Sequence, residues 1–252
     1  MKTITLAAGE RLTPQLLERE GALPRRIEDA AASIIAAVRA EGDEAVRRFC
    51  REFDGVDLDT FRLPAAAFDA ALDQVDETFV AALTRAAEQI RDFHAREVQQ
   101  SWFTTRKDGT MLGVKVTPVA AAGLYVPGGR AQYPSTVLMN AIPAKVAGVE
   151  RVVMVTPPQA DDLAAGGCGI SPYTLAAAKL AGVDEVYLVG GAQAVAALAY
   201  GTEQIPRVEK ITGPGNAYVA AAKRQVSGDV GIDMVAGPSE VCVLADATAR
   251  PS

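Results

Sequence analysis

The stretch GLYVPGGRAQYPSTVLMNAIP, residues 123–143, decides how this chain is read. It begins as an apolar strand, breaks at Pro127-Gly128-Gly129 and resumes at Ser135 with helical spacing. A strand that ends in glycines and hands over to a helix N-terminus brings backbone N–H groups and the positive end of the helix dipole to one point, which suits a phosphate or nucleotide. The theme recurs downstream. Strand-like Glu185–Val189 ends in Gly190-Gly191 before a helix at Ala192–Tyr200, and Lys210–Thr212 ends in Gly213-Pro214-Gly215 before a helix at Ala217–Val226. Between them, Arg151–Thr156 reads as a strand and Tyr173–Ala181 as a helix opened by Ser171-Pro172 and closed by Gly182.

Strands alternating with helices of this length imply crossovers and a parallel sheet, with helices on both faces. The fold class expected is α/β: a Rossmann-like parallel lobe preceded by a helical region. The glycine clusters all follow strands and precede helices, so they share the edge where open α/β sheets bind ligands. The helix over Ser135–Ala147 contains Pro143, which predicts a kink or break. Ile232–Met234 and Val241–Ala245 read as the last strands.

Upstream the pattern is helical. Ile27, Ala31, Ile34, Ile35 and Val38 keep one stripe, and Val46, Phe49 and Phe53 continue it to Gly55. Ala65–Val98 reads as strongly helical, with Asp76 a cap for its second part. His94 lies at the apolar edge of that run as a structural histidine, Trp102 reads as a packing anchor, and Val114–Thr117 reads as a strand. Thr13-Pro14 opens a short helix in an N-terminal arm.

Composition narrows the functional classes. The chain has 252 residues, 49% hydrophobic and 22% charged, a formal net charge of −6 and a pI near 5.0. An acidic balance disfavours nucleic acid as a partner, because phosphate neutralisation needs a basic face. No apolar run approaches a membrane span and the N-terminus lacks a secretory pattern, so a cytoplasmic protein is expected. Three cysteines (Cys50, Cys168 and Cys242), far apart, argue against a disulfide framework. A single histidine cannot build a two-histidine metal site.

Several familiar motifs are absent, among them GxxxxGK[ST], GxSxG and HExxH. Gly213-Pro214-Gly215 resembles the start of the GxGxxG fingerprint, and Asp233 stands at the distance of a ribose-binding carboxylate, yet Tyr218 occupies the third glycine position. Four polar residues sit in or beside the glycine turns: Tyr125, Gln193, Asn216 and Ser239. Their side chains can converge above the sheet. Taken singly, Asn216 and Ser239 also read as caps and Tyr125 as a core residue.

GLYVPGG at 123–129, YPSTVLMNAIPAKVAGV at 133–149, LVGGAQAVAALAYGT at 188–202, KITGPGNAYVAAAKRQV at 210–226 and IDMVAGPSEV at 232–241 closely resemble the histidinol dehydrogenase family, as does GDEAVRRFCREFDG at 42–55. The resemblance implies a four-electron oxidation of L-histidinol to L-histidine through the aldehyde, with NAD and zinc, in a homodimer. By the same resemblance Tyr125, Gln193 and Asn216 fall on NAD-contacting positions and Ser239 on a substrate-contacting one. The family's zinc ligands and its Glu-His acid–base pair follow the AGPSEV segment. No catalytic or metal-binding residue is therefore assigned, and the chain is expected to be an N-terminal fragment, inactive by itself. The implied division is an arm at 1–25, an incomplete first α/β domain at 26–122 plus 240–252, and an NAD-binding Rossmann-like domain at 123–239. Two alternatives stand beside this reading. One is a cysteine-dependent, aldehyde dehydrogenase-like enzyme using Cys168 or Cys242; the other is a non-catalytic dinucleotide-binding module.

Overall fold

The computed structural model describes residues 5–6, 9–11, 24–128, 132–235, 243, 245–246 and 248–249. The helix opened by Thr13-Pro14, Ser239 and Cys242 lie outside the described residues, and of the strand read at Val241–Ala245 only Val243 and Ala245 are described, neither of them in a strand.

The chain runs α1 (Arg25–Glu41), α2 (Asp43–Phe49), a π-helical turn (Cys50–Asp54), α3 (Ala65–Asp69), a 3₁₀ turn (Leu72–Gln74) and α4 (Glu77–Ala95). A hairpin of β1 (Trp102–Thr105) and β2 (Met111–Val114) follows. Then come β3 (Ala121–Tyr125), α5 (Pro134–Val146), β4 (Arg151–Thr156), α6 (Ala160–Ala164), α7 (Pro172–Ala181), β5 (Glu185–Leu188), α8 (Gly191–Tyr200), β6 (Lys210–Thr212), α9 (Ala217–Val226) and β7 (Gly231–Ile232).

Strands β3 to β7 form one parallel sheet ordered β5-β4-β3-β6-β7. Counted along the chain, the order is third, second, first, fourth, fifth, the doubly wound arrangement. Both faces are covered, so successive strand residues enter different cores. Ala121, Tyr125, Val153, Val155, Tyr187, Val189 and Ile211 face α8, α9, α1 and α2. Ala122, Leu124, Val126, Val152, Met154, Val186 and Leu188 face α5 and α7, with α4 outside them. Gly123 is required by packing: a Cβ there would lie 2.8 Å from Leu198 Cδ1 on α8. Helix α1 lies across α8 and α9, where Glu28 pairs with Arg224 and its carbonyl accepts from Gln225 Nε2 at 2.8 Å.

The caps follow local chemistry. Asp76 Oδ1 accepts from Phe79 N at 2.8 Å, Ser171 Oγ from Tyr173 N at 3.2 Å, and Gly182 closes α7 at φ 82°.

Four expectations need correction. Of the kink or break expected at Pro143 the break does not occur, since helix α5 runs on to Val146; Pro143 has no N–H to give the carbonyl of Met139, an exposed position where water can satisfy it. The 65–98 stretch is three helical pieces, because the chain turns at 70–76. Trp102 is no packing anchor: it is 56% exposed, on a hairpin whose eight strand residues are all exposed. The strand read at Val114–Thr117 ends at Val114, since β2 is set by its antiparallel register with β1, Trp102 opposite Val114 and Thr105 opposite Met111.

Candidate functional site

Between β3 and β6 the winding reverses direction, which opens a crevice at the C-terminal ends of the strands. The turns around it approach so closely that side chains are excluded. A Cβ on Gly128 would lie 3.2 Å from Pro157 O and 3.3 Å from Thr156 Oγ1, and one on Gly190 would lie 2.6 Å from Pro157 Cγ. Gly213, at φ +113°, would place a Cβ 2.1 Å from Tyr125 O. The exits of β3, β4, β5 and β6 thus meet backbone to backbone.

Tyr125 ends β3 and is 3% exposed. Its hydroxyl accepts a hydrogen bond from Gly191 N at 3.1 Å, at the first residue of α8. Burial pushes the phenol up to about 12, against a lowering by the Gly191 N–H and with a further rise from the Asp54 charge. Gln193 lies two residues into α8 and is 1% exposed. Neither its Oε1 nor its Nε2 has a hydrogen-bond partner among the described residues. Its side chain folds back over the helix start, where a Cβ on Gly191 would lie 2.4 Å from Oε1. Tyr125 and Gln193 therefore meet at one place.

Asn216 serves a different helix start. Its Oδ1 caps α9, accepting from Tyr218 N at 3.0 Å and Val219 N at 3.1 Å, and the residue is exposed at the exit of β6.

The fingerprint based on Gly213-Pro214-Gly215 fails on position. This turn follows the fourth strand of the sheet, whereas a dinucleotide fingerprint occupies the first strand–helix turn. Asp233 is likewise committed elsewhere. Its carboxylate accepts from Gly213 N at 2.9 Å and Met234 N at 2.7 Å and pairs with Lys223, whose Nζ also donates to Gly213 O at 2.9 Å. Burial raises the Asp233 carboxyl, but the hydrogen bonds from Lys223, Met234 and Gly213 outweigh it and hold the group below its ordinary value.

One residue at the site was not singled out by sequence reasoning. Asp54 ends the π-helical turn, and its Oδ2 is buried without a partner among the described residues. Burial pushes its carboxyl up to about 6. In sequence it is one acid among many; the available hint is that it ends an apolar helical stripe immediately before Gly55.

Neither described cysteine is set up as a nucleophile. Burial, assisted by the Asp54 charge, pushes the Cys50 thiol up to about 12. Cys168 is half-buried with Sγ 3.6 Å from Ile170 O, and Cys242 lies outside the described residues. His94 pairs through Nδ1 with Glu97 at 2.5 Å near the end of α4. Among the described residues no three His, Cys, Asp or Glu side chains converge, so these residues do not fit a zinc ion. They do fit a dinucleotide: a crevice of close-packed backbone turns, a helix start, and the buried amide of Gln193 with both polar atoms unused. Among the described residues no helix is long and apolar enough to cross a membrane.

Sheet order and site together define a doubly wound, Rossmann-like α/β protein. A family model described as histidinol dehydrogenase matches residues 17–252, and the chain belongs to that family. It is similar to histidinol dehydrogenase of Bacillus subtilis (strain 168), 52% identical over 252 residues covering 100% of this chain and 57% of the relative. It is also similar to histidinol dehydrogenase of Thermosynechococcus vestitus, 54% identical over 222 residues covering 87% of this chain and 50% of the relative. The crystal structure of histidinol dehydrogenase from Elizabethkingia anophelis superimposes with a TM-score of 0.82 at 34% identity, covering 94% of this chain and 54% of that one. The chain spans about half the length of the curated relatives it matches. With the family established, the cysteine-dependent alternative is not favoured.

Proposed function

We propose that this chain forms the NAD-binding part of a histidinol dehydrogenase, an oxidoreductase that converts L-histidinol to L-histidine through the aldehyde, in histidine biosynthesis. The observation that carries this reading is the start of α8. There Gly191 N meets the Tyr125 hydroxyl at 3.1 Å, and Gln193 is buried with an amide that no described residue satisfies. A buried amide without partners is costly and is expected where a ligand completes the bonding.

NAD would supply the hydride acceptor. The chain's own residues would bind and orient it. The Tyr125 hydroxyl, already bonded to Gly191 N, has an O–H to donate; Gln193 offers one donor group and one acceptor. Asn216 holds the first turn of α9 in shape and presents that turn to the crevice. Ser239 is assigned to L-histidinol by the family resemblance. Proton transfer and zinc binding are not assigned to any described residue, so the 252-residue chain is expected to bind NAD without oxidising histidinol. L-Histidinol as substrate and homodimerisation of the whole protein belong to the same proposal.

Calorimetric titration with NAD tests it. Saturable binding by the chain and at least tenfold weaker binding by Gln193→Ala are expected. A folded chain that takes up no NAD overturns the reading. Steady NADH production from histidinol by this chain alone overturns the assignment of chemistry to residues elsewhere.

A further inference from the structure

The ribose-binding carboxylate that sequence spacing offers is Asp233, and the fold withdraws it: its oxygens are taken by Gly213 N, Met234 N and Lys223, at the end of the edge strand β7. A different carboxylate lies on the element beside α8: Asp54 ends the π-helical turn that continues α2, α2 packs on α8, and Cys50 of the same turn is buried in one core with Tyr125 and Ala192. The Asp54 charge adds to the burial that raises both the Tyr125 hydroxyl and the Cys50 thiol. Tyr125 in turn holds Gly191 N, and Gln193 folds over the same point, 1% exposed. Among the described residues three buried polar atoms on these two packed elements lack partners: Asp54 Oδ2, Gln193 Oε1 and Gln193 Nε2.

Such a set has a definite chemical preference. Asp54 Oδ2 and Gln193 Oε1 require donors, while Gln193 Nε2 requires an acceptor. A vicinal diol offers donors and acceptors on adjacent carbons. A phosphate offers acceptors alone, and its charge is repelled by a carboxylate in a site shielded from water. In doubly wound folds an acidic side chain that receives a ribose hydroxyl is the usual device for accepting NAD and refusing the 2′-phosphorylated dinucleotide.

We infer that Asp54 is a further cofactor-binding residue, whose carboxylate accepts a hydrogen bond from a ribose hydroxyl and so selects NAD over NADP. This rests on the dinucleotide reading above. Binding through the ionised carboxylate also makes affinity depend on pH. Among the described residues the titratable groups that the Asp54 charge acts on are Cys50 on its own turn and Tyr125 on β3. Cys50 and Tyr125, both pushed up to about 12, stay protonated through the neutral range. Asp54, at about 6, is the member of this set that changes charge there. A hydroxyl donor favours the ionised form, so NAD affinity falls as pH drops through that value.

The test is calorimetric titration of the 252-residue chain and of Asp54→Asn with NAD and with NADP, from pH 5 to pH 8. Circular dichroism on each sample establishes that it is folded. For the unaltered chain, NAD binding is expected to weaken toward pH 5 and to exceed NADP binding. In Asp54→Asn, NAD binding at neutral pH is expected to weaken about ten- to hundredfold, the value of a hydrogen bond to a charged group, with a flat pH profile and the preference against NADP reduced. An Asp54→Asn chain that keeps the original affinity, selectivity and pH profile overturns the inference and leaves the dinucleotide site standing. Absence of binding to either dinucleotide by the folded, unaltered chain overturns the dinucleotide reading itself. Should Asp54→Asn not fold, the unaltered chain decides: NAD affinity constant from pH 5 to pH 8, or equal affinity for NADP, overturns the inference.

Discussion

Replacing Asp233 by asparagine should destabilise this protein more than removing Lys223 altogether, although the first change is nearly isosteric. Lys223 is 4% exposed, and its ammonium has two acceptors, Gly213 O and the Asp233 carboxylate. Asp233 is 27% exposed at its side chain and keeps backbone donors from Gly213 and Met234. Lys223→Met therefore leaves behind a carboxylate that water and two N–H groups still serve. Its cost is the lost charge-assisted bonds, about 2 kcal/mol after discounting for solvent screening, with the Met side chain refilling the space. Asp233→Asn instead leaves a buried ammonium with neutral acceptors alone, the Gly213 carbonyl and the asparagine amide oxygen. Holding that lysine neutral at pH 7 costs up to about 4–5 kcal/mol, the work of moving its pKa down from about 10.4. Against a total stability of roughly 5–15 kcal/mol either loss is measurable. Urea unfolding followed by circular dichroism is the assay, for both single variants and the double variant. The double variant should resemble Lys223→Met, because it leaves no buried charge. The Asp233→Asn deficit should shrink as pH rises from 7 toward 10, where the unfolded lysine also loses its proton. If Lys223→Met is the more damaging change, or if the Asp233→Asn deficit does not vary with pH, the reasoning from asymmetric burial is wrong.

Other outcomes follow from the same geometry. Gly213→Ala combines a left-handed φ with a Cβ 2.1 Å from a backbone carbonyl, neither of which a rotamer change relieves. It should cost about 2–3 kcal/mol or more, seen as a lower urea midpoint with an unchanged slope. Gln193→Leu removes two buried atoms that no described residue satisfies and should raise stability by about 1–2 kcal/mol while abolishing NAD binding, read by thermal unfolding and calorimetry. Asp54 has its carboxyl raised from 3.8 to about 6 by burial, so the folded chain binds more protons than the unfolded one between those values and stability falls as pH rises through that window. The shift corresponds to about 3 kcal/mol, reduced to about 1–2 by the partial exposure of the residue. Asp54→Asn should therefore match the unaltered chain near pH 3.8 and exceed it in stability at pH 7, as measured by urea unfolding at the two pH values.

Much of the architecture is written locally. Arg151–Thr156, Lys210–Thr212 and Ala217–Val226 have the same bounds in sequence pattern and structure, because strands closed by Pro157-Pro158 or by Gly213 and a helix opened by the Asn216 cap have few alternatives. The hairpin was illegible for the opposite reason. Trp102, Phe103 and Met111 are large apolar residues that pattern reasoning sends to the core, yet here they are exposed. The candidate site divides in the same way. The glycine turns marked the ligand edge, and Tyr125, Gln193 and Asn216 stood out as polar residues beside them. Asp233 had the right sequence distance and the wrong strand, since spacing along the chain does not encode which strand lies next to which.

By itself, the sequence determined the α/β class, the alternation of strand and helix, the family, and the set of turns that carry polar side chains. These depend on interactions within a few residues, or on motifs quoted residue by residue. The tertiary structure alone decided the strand order and its crevice, the meeting of Tyr125 with Gln193 at Gly191, the withdrawal of Asp233 into the Lys223 pair, and the burial of an Asp54 Oδ2 that no described residue satisfies. Each of these is a matter of what stands opposite a group across the fold. Whether a polar atom is satisfied or left open for a ligand depends on neighbours tens of residues away, which no local pattern records.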